Sequence, residues 1–164
     1  MTETMGPRSQ PGSRSCFVCG FENPHGLGAV FYDDGAEVWT EVTPGNHHQS
    51  WPGILHGGVV TAILDETIGR VAFLYDRWVQ TAKLDLRFLA PAPLEQPLRA
   101  RGRLVQDRRR LMVMEGELLG PDGTRLAEAK GTFIPVPDAV RAELAAQLGD
   151  DFEAWERWMA SHRG

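Results

Sequence analysis

The sequence has little of three things, and each shortage excludes a class of protein. Basic residues are outnumbered, with 17 Lys and Arg against 22 Asp and Glu, and the net charge of -5 argues against a nucleic-acid binder. The only cysteines, Cys16 and Cys19, are too few for a secreted disulfide framework, so a cytoplasmic protein is expected. Long apolar runs are also scarce: the most apolar segment, 54–75, is interrupted by charged residues, and no membrane span is predicted.

Hydrophobic periodicity predicts a β-rich domain with one central helix, followed by a helical extension. Apolar residues recur at helix spacing from Gly57 to about Tyr75, and an amphipathic helical pattern starts at Asp138. Six stretches are predicted as strands: 29–32, 36–42, 79–89, 98–106, 111–119 and 124–135. Short turns between successive strands indicate an antiparallel sheet that the helix covers, an α+β architecture. The predicted divisions are a disordered tail over 1–15, the main domain over 16–136 and the C-terminal helical extension over 137–164.

One aspartate is distinctive on the predicted central helix. Asp65 shares its helix face with small residues only, namely Gly58, Thr61, Ala62, Gly69 and Ala72. A carboxylate in such a wall can approach a ligand closely, as a catalytic base must. The alternative is an ordinary exposed helix position or an intrahelical cap. The neighbouring Glu66 precedes Arg70 by four residues, the spacing of a stabilising ion pair, and is predicted to be structural.

The start of the same helix carries a pair of glycines. Gly57 and Gly58 would let a carbonyl oxygen approach free backbone N–H groups at the positive end of the helix dipole. Donors placed in this way stabilise the oxyanion that develops during acyl transfer. The alternative is that the two glycines only make a tight turn from loop to helix.

Several motifs together resemble a known family. They are Trp51-Pro52-Gly53-Ile54-Leu55-His56-Gly57-Gly58 followed by Asp65-Glu66, then Cys16-Phe17-Val18-Cys19-Gly20, Asn23-Pro24, Gly26-Leu27 and Leu89-Ala90-Pro91-Ala92-Pro93. Over about 16–136 the chain resembles the phenylacetate-pathway type of thioesterase (PaaI) in the 4-hydroxybenzoyl-CoA thioesterase superfamily. The resemblance implies the hotdog fold, in which a curved antiparallel sheet wraps a long central helix.

The resemblance also implies roles for particular residues. Gly57 would polarise the thioester carbonyl through its N–H, and Asp65 would act as general base or nucleophile. Thr81 would orient water or the carboxylate from the opposite subunit, and His56 is more readily an organiser of the turn than a base. Relatives place an Asn or Gln before the His-Gly-Gly turn, where this chain has Gln49 or Ser50. Acyl-CoA would bind at the interface of a homodimer, and a tetramer made of two dimers stays open.

Two further groups have open interpretations. Cys16 and Cys19 could be half of a zinc site with His25, His47 or His48, but a buried reduced pair without metal is the preferred interpretation. Three adjacent guanidiniums at a predicted hairpin turn, Arg108, Arg109 and Arg110, could hold the phosphates of CoA, and a solvated turn is the alternative.

The sequence therefore predicts an acyl-CoA thioesterase that needs no cofactor beyond the CoA of its substrate. A non-hydrolytic acyl-CoA binding or sensing module on the same fold is the first alternative. The second is a hotdog enoyl-CoA hydratase, which is less favoured because such enzymes pair an Asp with a His. Here His56 precedes the helix and is not next to Asp65.

Overall fold

A computed structural model describes residues 6–162 of the chain. One antiparallel sheet has seven strands in the order β1-β2-β3-β5-β6-β7-β4. The strands are β1 (Arg8–Ser9), β2 (Phe31–Asp33), β3 (Glu37–Val42), β4 (Val79–Phe88), β5 (Leu98–Arg108), β6 (Leu111–Leu119) and β7 (Arg125–Pro135). The helices are α1 (Gly57–Gly69), α2 (Asp138–Leu148) and α3 (Asp150–Ser161), and short 3₁₀ segments span Asn46–His48 and Arg70–Tyr75. The α+β architecture predicted from the sequence is confirmed.

The central helix α1 lies against the inner face of the sheet and contacts β3, β4, β5, β6 and β7. Ile63, Leu64 and Ile68 on its inner side are fully buried. Glycines in the strands make room for it: a Cβ on Gly116 would lie 2.6 Å from the Ile68 Cγ2 atom. The core of the domain is therefore the layer between α1 and the sheet, and it leaves the opposite flank of α1 partly exposed.

The first strand corrects the prediction of a disordered tail over 1–15. Arg8–Ser9 pairs with β2, and the Arg8 guanidinium forms an ion pair with the fully buried Asp33 carboxylate. Arg70 Nη1 also donates to the Pro11 carbonyl oxygen at 2.9 Å. A buried carboxylate requires a charged or hydrogen-bonding partner, and this need ties the N-terminal segment to the sheet. Residues 1–5 lie outside the described part of the chain.

The predicted helix over 57–75 is divided in two. Its α-helical part ends at Gly69, and the chain continues as a 3₁₀ helix to Tyr75 before Asp76 adopts a left-handed conformation with φ 57°. The spacing of apolar residues cannot distinguish an α-helix from a 3₁₀ helix over so few residues, because the number of residues per turn differs by only about half a residue.

The predicted C-terminal helices are present as α2 and α3. Trp155 of α3 is buried, and its ring stacks on Phe73 with 4.1 Å between centroids. Trp158 Nε1 donates to the Ser9 carbonyl oxygen at 3.0 Å. Helix α3 thus packs on its own chain, against the 3₁₀ segment Arg70–Tyr75 and against residues 6–15, which we call the N-terminal arm. No helix of the described residues is long and apolar enough to cross a membrane.

Candidate active site

The N-terminus of α1 is organised by the side chain of His56. His56 is the N-cap, and its Nδ1 accepts a hydrogen bond of 2.9 Å from the Gly58 N–H. The Gly58 N–H is therefore occupied, which corrects the prediction that both glycines offer free donors. Within residues 6–162, no acceptor receives the Gly57 N–H. The helix start thus has one available donor in its first two residues, and it belongs to Gly57.

An apolar cavity of about 420 Å³ opens at this donor; we call it the Gly57 cleft. Phe88 at the end of β4 forms one wall, and Trp51 from the loop before α1 forms another. Both aromatic rings are unusually exposed, with 58% of Phe88 and 77% of Trp51 accessible to solvent. Ser50 also lines this cleft.

Asp65 lies farther along α1 and is held by Thr81 of β4. The Thr81 hydroxyl donates to Asp65 Oδ1 at 2.7 Å. A β-bulge between Thr81 and Lys83 shifts the register of β4 against β7 at this point, and bulges of this kind redirect side chains. The resemblance implies that Thr81 orients water or the carboxylate from the opposite subunit, whereas in this structure it donates to Asp65 of its own chain.

The Asp65 carboxyl has a raised pKa. Burial is the main cause, and the nearby Glu66 charge adds to it, while the hydrogen bond from Thr81 acts in the opposite direction. Such a group is a better proton acceptor than an exposed aspartate and is still available for nucleophilic attack. Glu66 forms the predicted ion pair with Arg70, with 2.8 Å between Oε1 and Nε. That prediction is confirmed.

A second cavity, of about 360 Å³, is lined by Asp65; we call it the Asp65 cavity. Three aromatic residues line it as well, Phe73, Trp78 and Trp155. Its lining also includes Cys16, Cys19, Glu66 and Thr81. Helix α3 therefore supplies part of the wall, a role that the amphipathic pattern of the extension did not specify.

Gly57 and Asp65 do not meet within one chain. They are eight residues apart on α1, which corresponds to about 12 Å along a helix axis. Gly57 lines one cavity and Asp65 the other, and neither cavity contains both residues. One thioester spans far less than this distance, so the two groups of a single chain cannot act on the same carbonyl.

The remaining candidate residues lie at varied distances from these cavities. Gln49 is exposed and lines neither cavity, in contrast to Ser50 beside it. Arg108 ends β5, Arg109 and Arg110 form the turn to β6, and none of the three lines either cavity. The strand register places this turn at the end of the sheet that carries Thr81, because Met112 pairs with Phe133 and Phe133 pairs with Thr81.

Two features of the site were not found in the sequence. Phe88 appears there only as the end of a strand, and nothing local indicates that its ring covers the helix start. The two cysteines likewise give no sign that they lie beside Asp65 and Glu66. Both relationships join segments far apart in the chain, so they follow from the fold and not from any local pattern.

Several known proteins that resemble this chain are named as thioesterases. The family model described as the thioesterase superfamily matches residues 52–127. The human acyl-coenzyme A thioesterase THEM5 is 36% identical over 52 residues, which are 32% of this chain and 21% of the human protein. Among solved structures, a thioesterase superfamily protein called RHA08564 is 31% identical with a TM-score of 0.69, over 74% of this chain and 60% of that one.

The PaaI protein of the phenylacetic acid degradation operon of E. coli also has the same fold. It is 16% identical with a TM-score of 0.63, over 68% of this chain and 81% of PaaI, so this likeness concerns the fold alone. The chain spans only 21% of the length of the human relative and 60% of RHA08564. These similarities confirm the predicted fold, a curved antiparallel sheet around a central helix.

Proposed function

We propose that this chain is a hotdog-fold acyl-CoA thioesterase, because the thioesterase superfamily model matches residues 52–127. The reaction is hydrolysis of an acyl-CoA to a carboxylic acid and free CoA. One observation carries the proposal: half-buried Asp65 lines a cavity and accepts a hydrogen bond from the Thr81 hydroxyl. The same helix begins at Gly57, whose N–H is available. The human relative, named as an acyl-coenzyme A thioesterase, supports the choice of substrate class.

The proposed chemistry assigns separate tasks to these two groups. The Gly57 N–H donates to the thioester oxygen as it gains negative charge, with help from the helix dipole. Asp65 acts on the carbonyl carbon, either by taking a proton from an attacking water or by attacking directly to give an anhydride that water then hydrolyses. Both routes expel the CoA thiolate, which takes up a proton, and release the acid. His56 organises the turn through its bond to Gly58 and takes no proton from the substrate.

We assign each complete site to two subunits, because Gly57 and Asp65 of one chain are too far apart. The edge strand β4 is ten residues long, largely exposed, and bonded to β7 on one side in the described chain. An unpaired edge of this length favours pairing with another strand. Two-fold pairing of β4 with β4 of a second copy would run the two α1 helices in opposite directions. Gly57 of one subunit would then approach Asp65 of the partner subunit.

The hairpin at Arg108–Arg110 is our candidate for the CoA phosphates. It lies at the end of the sheet where β4 begins, the end that carries Thr81 and Asp65. One guanidinium group can donate two parallel hydrogen bonds to a phosphate, and this turn brings three guanidinium groups together. Replacing all three with Gln is expected to raise KM for acyl-CoA and leave kcat nearly unchanged. An unchanged KM would place the phosphates elsewhere.

The first experiment measures release of free thiol from short, medium, long and aromatic acyl-CoAs. Wild-type protein is expected to hydrolyse at least one of them, and Asp65→Asn is expected to lose most of the turnover while it keeps its fold. Glu143→Gln, an exposed position on α2, is the matched control for loss of one carboxylate. Binding without hydrolysis of any acyl-CoA would favour the sensing module, and addition of water to an enoyl-CoA would favour the hydratase.

The second experiment tests whether two subunits share the site. Asp65→Asn and Gly57→Pro chains with different tags are produced together, and the mixed dimer is isolated. Proline removes the N–H and is well tolerated at the first position of a helix. A shared site predicts that mixed dimers regain about half of the wild-type activity, because one of the two sites has both groups intact. Mixed dimers as inactive as their parents, or a monomeric protein, would refute the shared site.

A further inference from the structure

A cluster of soft and acidic ligands forms part of the wall of the Asp65 cavity. One side-chain atom from each of Cys16, Cys19 and Glu66 lies within 4.8 Å of the other two. Cys19 is buried and Cys16 is half-buried, and both thiols are free. The cluster joins the N-terminal loop to α1, and the catalytic proposal does not use it.

The loop that carries the two cysteines is shaped around the Cys16 sulfur. Its Sγ accepts backbone N–H bonds from Val18 and Cys19, each at 3.4 Å. The Gly20 N–H closes the turn on the Cys16 carbonyl oxygen at 2.9 Å, and a Cβ on Gly20 would lie 2.1 Å from that oxygen. Only glycine fits there. Two N–H donors directed at one sulfur stabilise its thiolate form, the form that binds metals.

The charges around the pair leave room for a divalent cation. The Glu66 carboxylate, which already accepts from Arg70 Nε at 2.8 Å, is the third anionic member. With both sulfurs ionised, the two thiolates and the Glu66 carboxylate would outnumber the Arg70 guanidinium that Glu66 binds. A bound divalent ion would offset this excess of negative charge.

We propose that Cys16, Cys19 and Glu66 bind a zinc ion. Two thiolates and a carboxylate are ligands that zinc takes in tetrahedral sites, and thiolates disfavour magnesium and calcium. On binding, thiol protons of the pair pass to solvent, two sulfur–metal bonds and one oxygen–metal bond form, and no electron is transferred. The fourth position is left for water from the cavity. Among the described residues, none of the histidines considered from the sequence joins the cluster.

The test is titration of the reduced, metal-free protein with Co²⁺ under argon, in a phosphine reductant that does not supply thiols. We expect one Co²⁺ per chain, a sulfur-to-metal charge-transfer band, strong visible bands of tetrahedral coordination, and displacement of Co²⁺ by Zn²⁺. Binding should also release protons, because both sulfurs must be thiolates in the complex. Failure of the wild-type protein to bind Co²⁺ with these bands would overturn the proposal.

Variants then assign the ligands. Cys16→Ser and Cys19→Ser should each abolish the charge-transfer band, whereas Glu66→Gln should weaken binding at least tenfold and keep that band. Glu143→Gln, far along the chain on α2, should bind as the wild type does. Tight binding by either cysteine variant would contradict the assignment, and Glu66→Gln still tests it if a serine variant fails to fold. The readout involves no hydrolysis, so it stands or falls separately from the thioesterase proposal.

Discussion

The Thr81 hydroxyl reaches from β4 to α1 and donates a 2.7 Å hydrogen bond to Asp65 Oδ1 of the same chain. This bond makes Thr81 a positioning residue: it fixes one oxygen of the carboxylate and leaves the other for chemistry. It also links the edge strand, where a second subunit would pair, to the aspartate that we propose as the catalytic residue.

Loss of the Thr81 hydroxyl should lower turnover without removing it. Thr81→Val keeps the branched shape and deletes the donor, so kcat is expected to fall about tenfold, the effect of one hydrogen bond of about 1.4 kcal/mol. Thr81→Ser retains the donor and should keep most of the activity. Steady-state hydrolysis by the two variants provides the comparison. A loss as large as that of Asp65→Asn would mean that Thr81 contacts the reacting atoms itself.

The raised pKa of Asp65 should be visible in the pH dependence of activity. Hydrolysis needs the ionised carboxylate, so kcat/KM should decline on acidification at a pH above 3.8, the usual value for aspartate. Because the bond from Thr81 lowers this pKa, Thr81→Val should move the decline to higher pH. A profile that is the same in both proteins would show that another group controls the acid limb.

The same shift predicts a stability change of defined sign. A carboxyl whose pKa is higher in the folded state stabilises the fold below its unfolded pKa, and this contribution is lost as pH rises through the folded pKa. Ionised, half-buried Asp65 therefore lowers the free energy of unfolding at neutral pH. Asp65→Asn should be more stable than wild type at neutral pH, with the difference shrinking toward pH 3.8. Chemical denaturation at several pH values measures it, and a constant difference would argue against burial as the cause.

The Gly57 donor can be removed with little change to the helix. Gly57→Pro deletes the N–H at the first helical position and should lower kcat by about 10²- to 10³-fold, the usual effect of losing one oxyanion-hole donor. Gly57→Ala keeps the N–H, and its Cβ would lie 3.5 Å from the Phe88 ring, an ordinary contact. The alanine variant should therefore remain active. Equal losses in both would point to crowding of the cleft and not to the donor.

Two variants of His56 separate its role as the N-cap of α1 from any chemical role of the imidazole. His56→Ala removes the acceptor for the Gly58 N–H and should cost about 1 kcal/mol of stability, as other N-cap losses do. His56→Asn supplies an amide oxygen in a similar place and should restore most of that stability together with activity. Thermal unfolding and hydrolysis are measured side by side. A stable but inactive asparagine variant would show that the imidazole takes part in the chemistry.

Local patterns in the sequence were enough to predict the strands and helices of the fold and one ion pair. The alternation of polar and apolar residues predicted the strand from 79 to within one residue of its end, since one face of β4 packs inward. The spacing of Glu66 and Arg70 predicted their contact, because residues four apart on a helix are neighbours.

Predictions failed where a distant group decided the outcome. The order of the N-terminal arm depends on Asp33, a charge whose burial becomes known only when β2 and β3 are packed. The use of the Gly58 N–H is a local exception: it depends on the side-chain rotamer of His56, two residues earlier, which the sequence does not specify. The cluster of Cys16, Cys19 and Glu66 depends on where the loop that carries the two cysteines packs against α1, and no spacing in the sequence predicts that contact.

The ion pair between Arg8 and Asp33 also determines where the cooperative folding unit of this chain begins. A fragment cut at Cys16, where the family motifs start, would leave the Asp33 carboxylate buried without its cation, a deficit of about 3 to 5 kcal/mol for such pairs. It would also expose the edge of β2 to other chains. We therefore expect a stable fragment to keep the strand that carries Arg8, with any truncation or tag placed ahead of it.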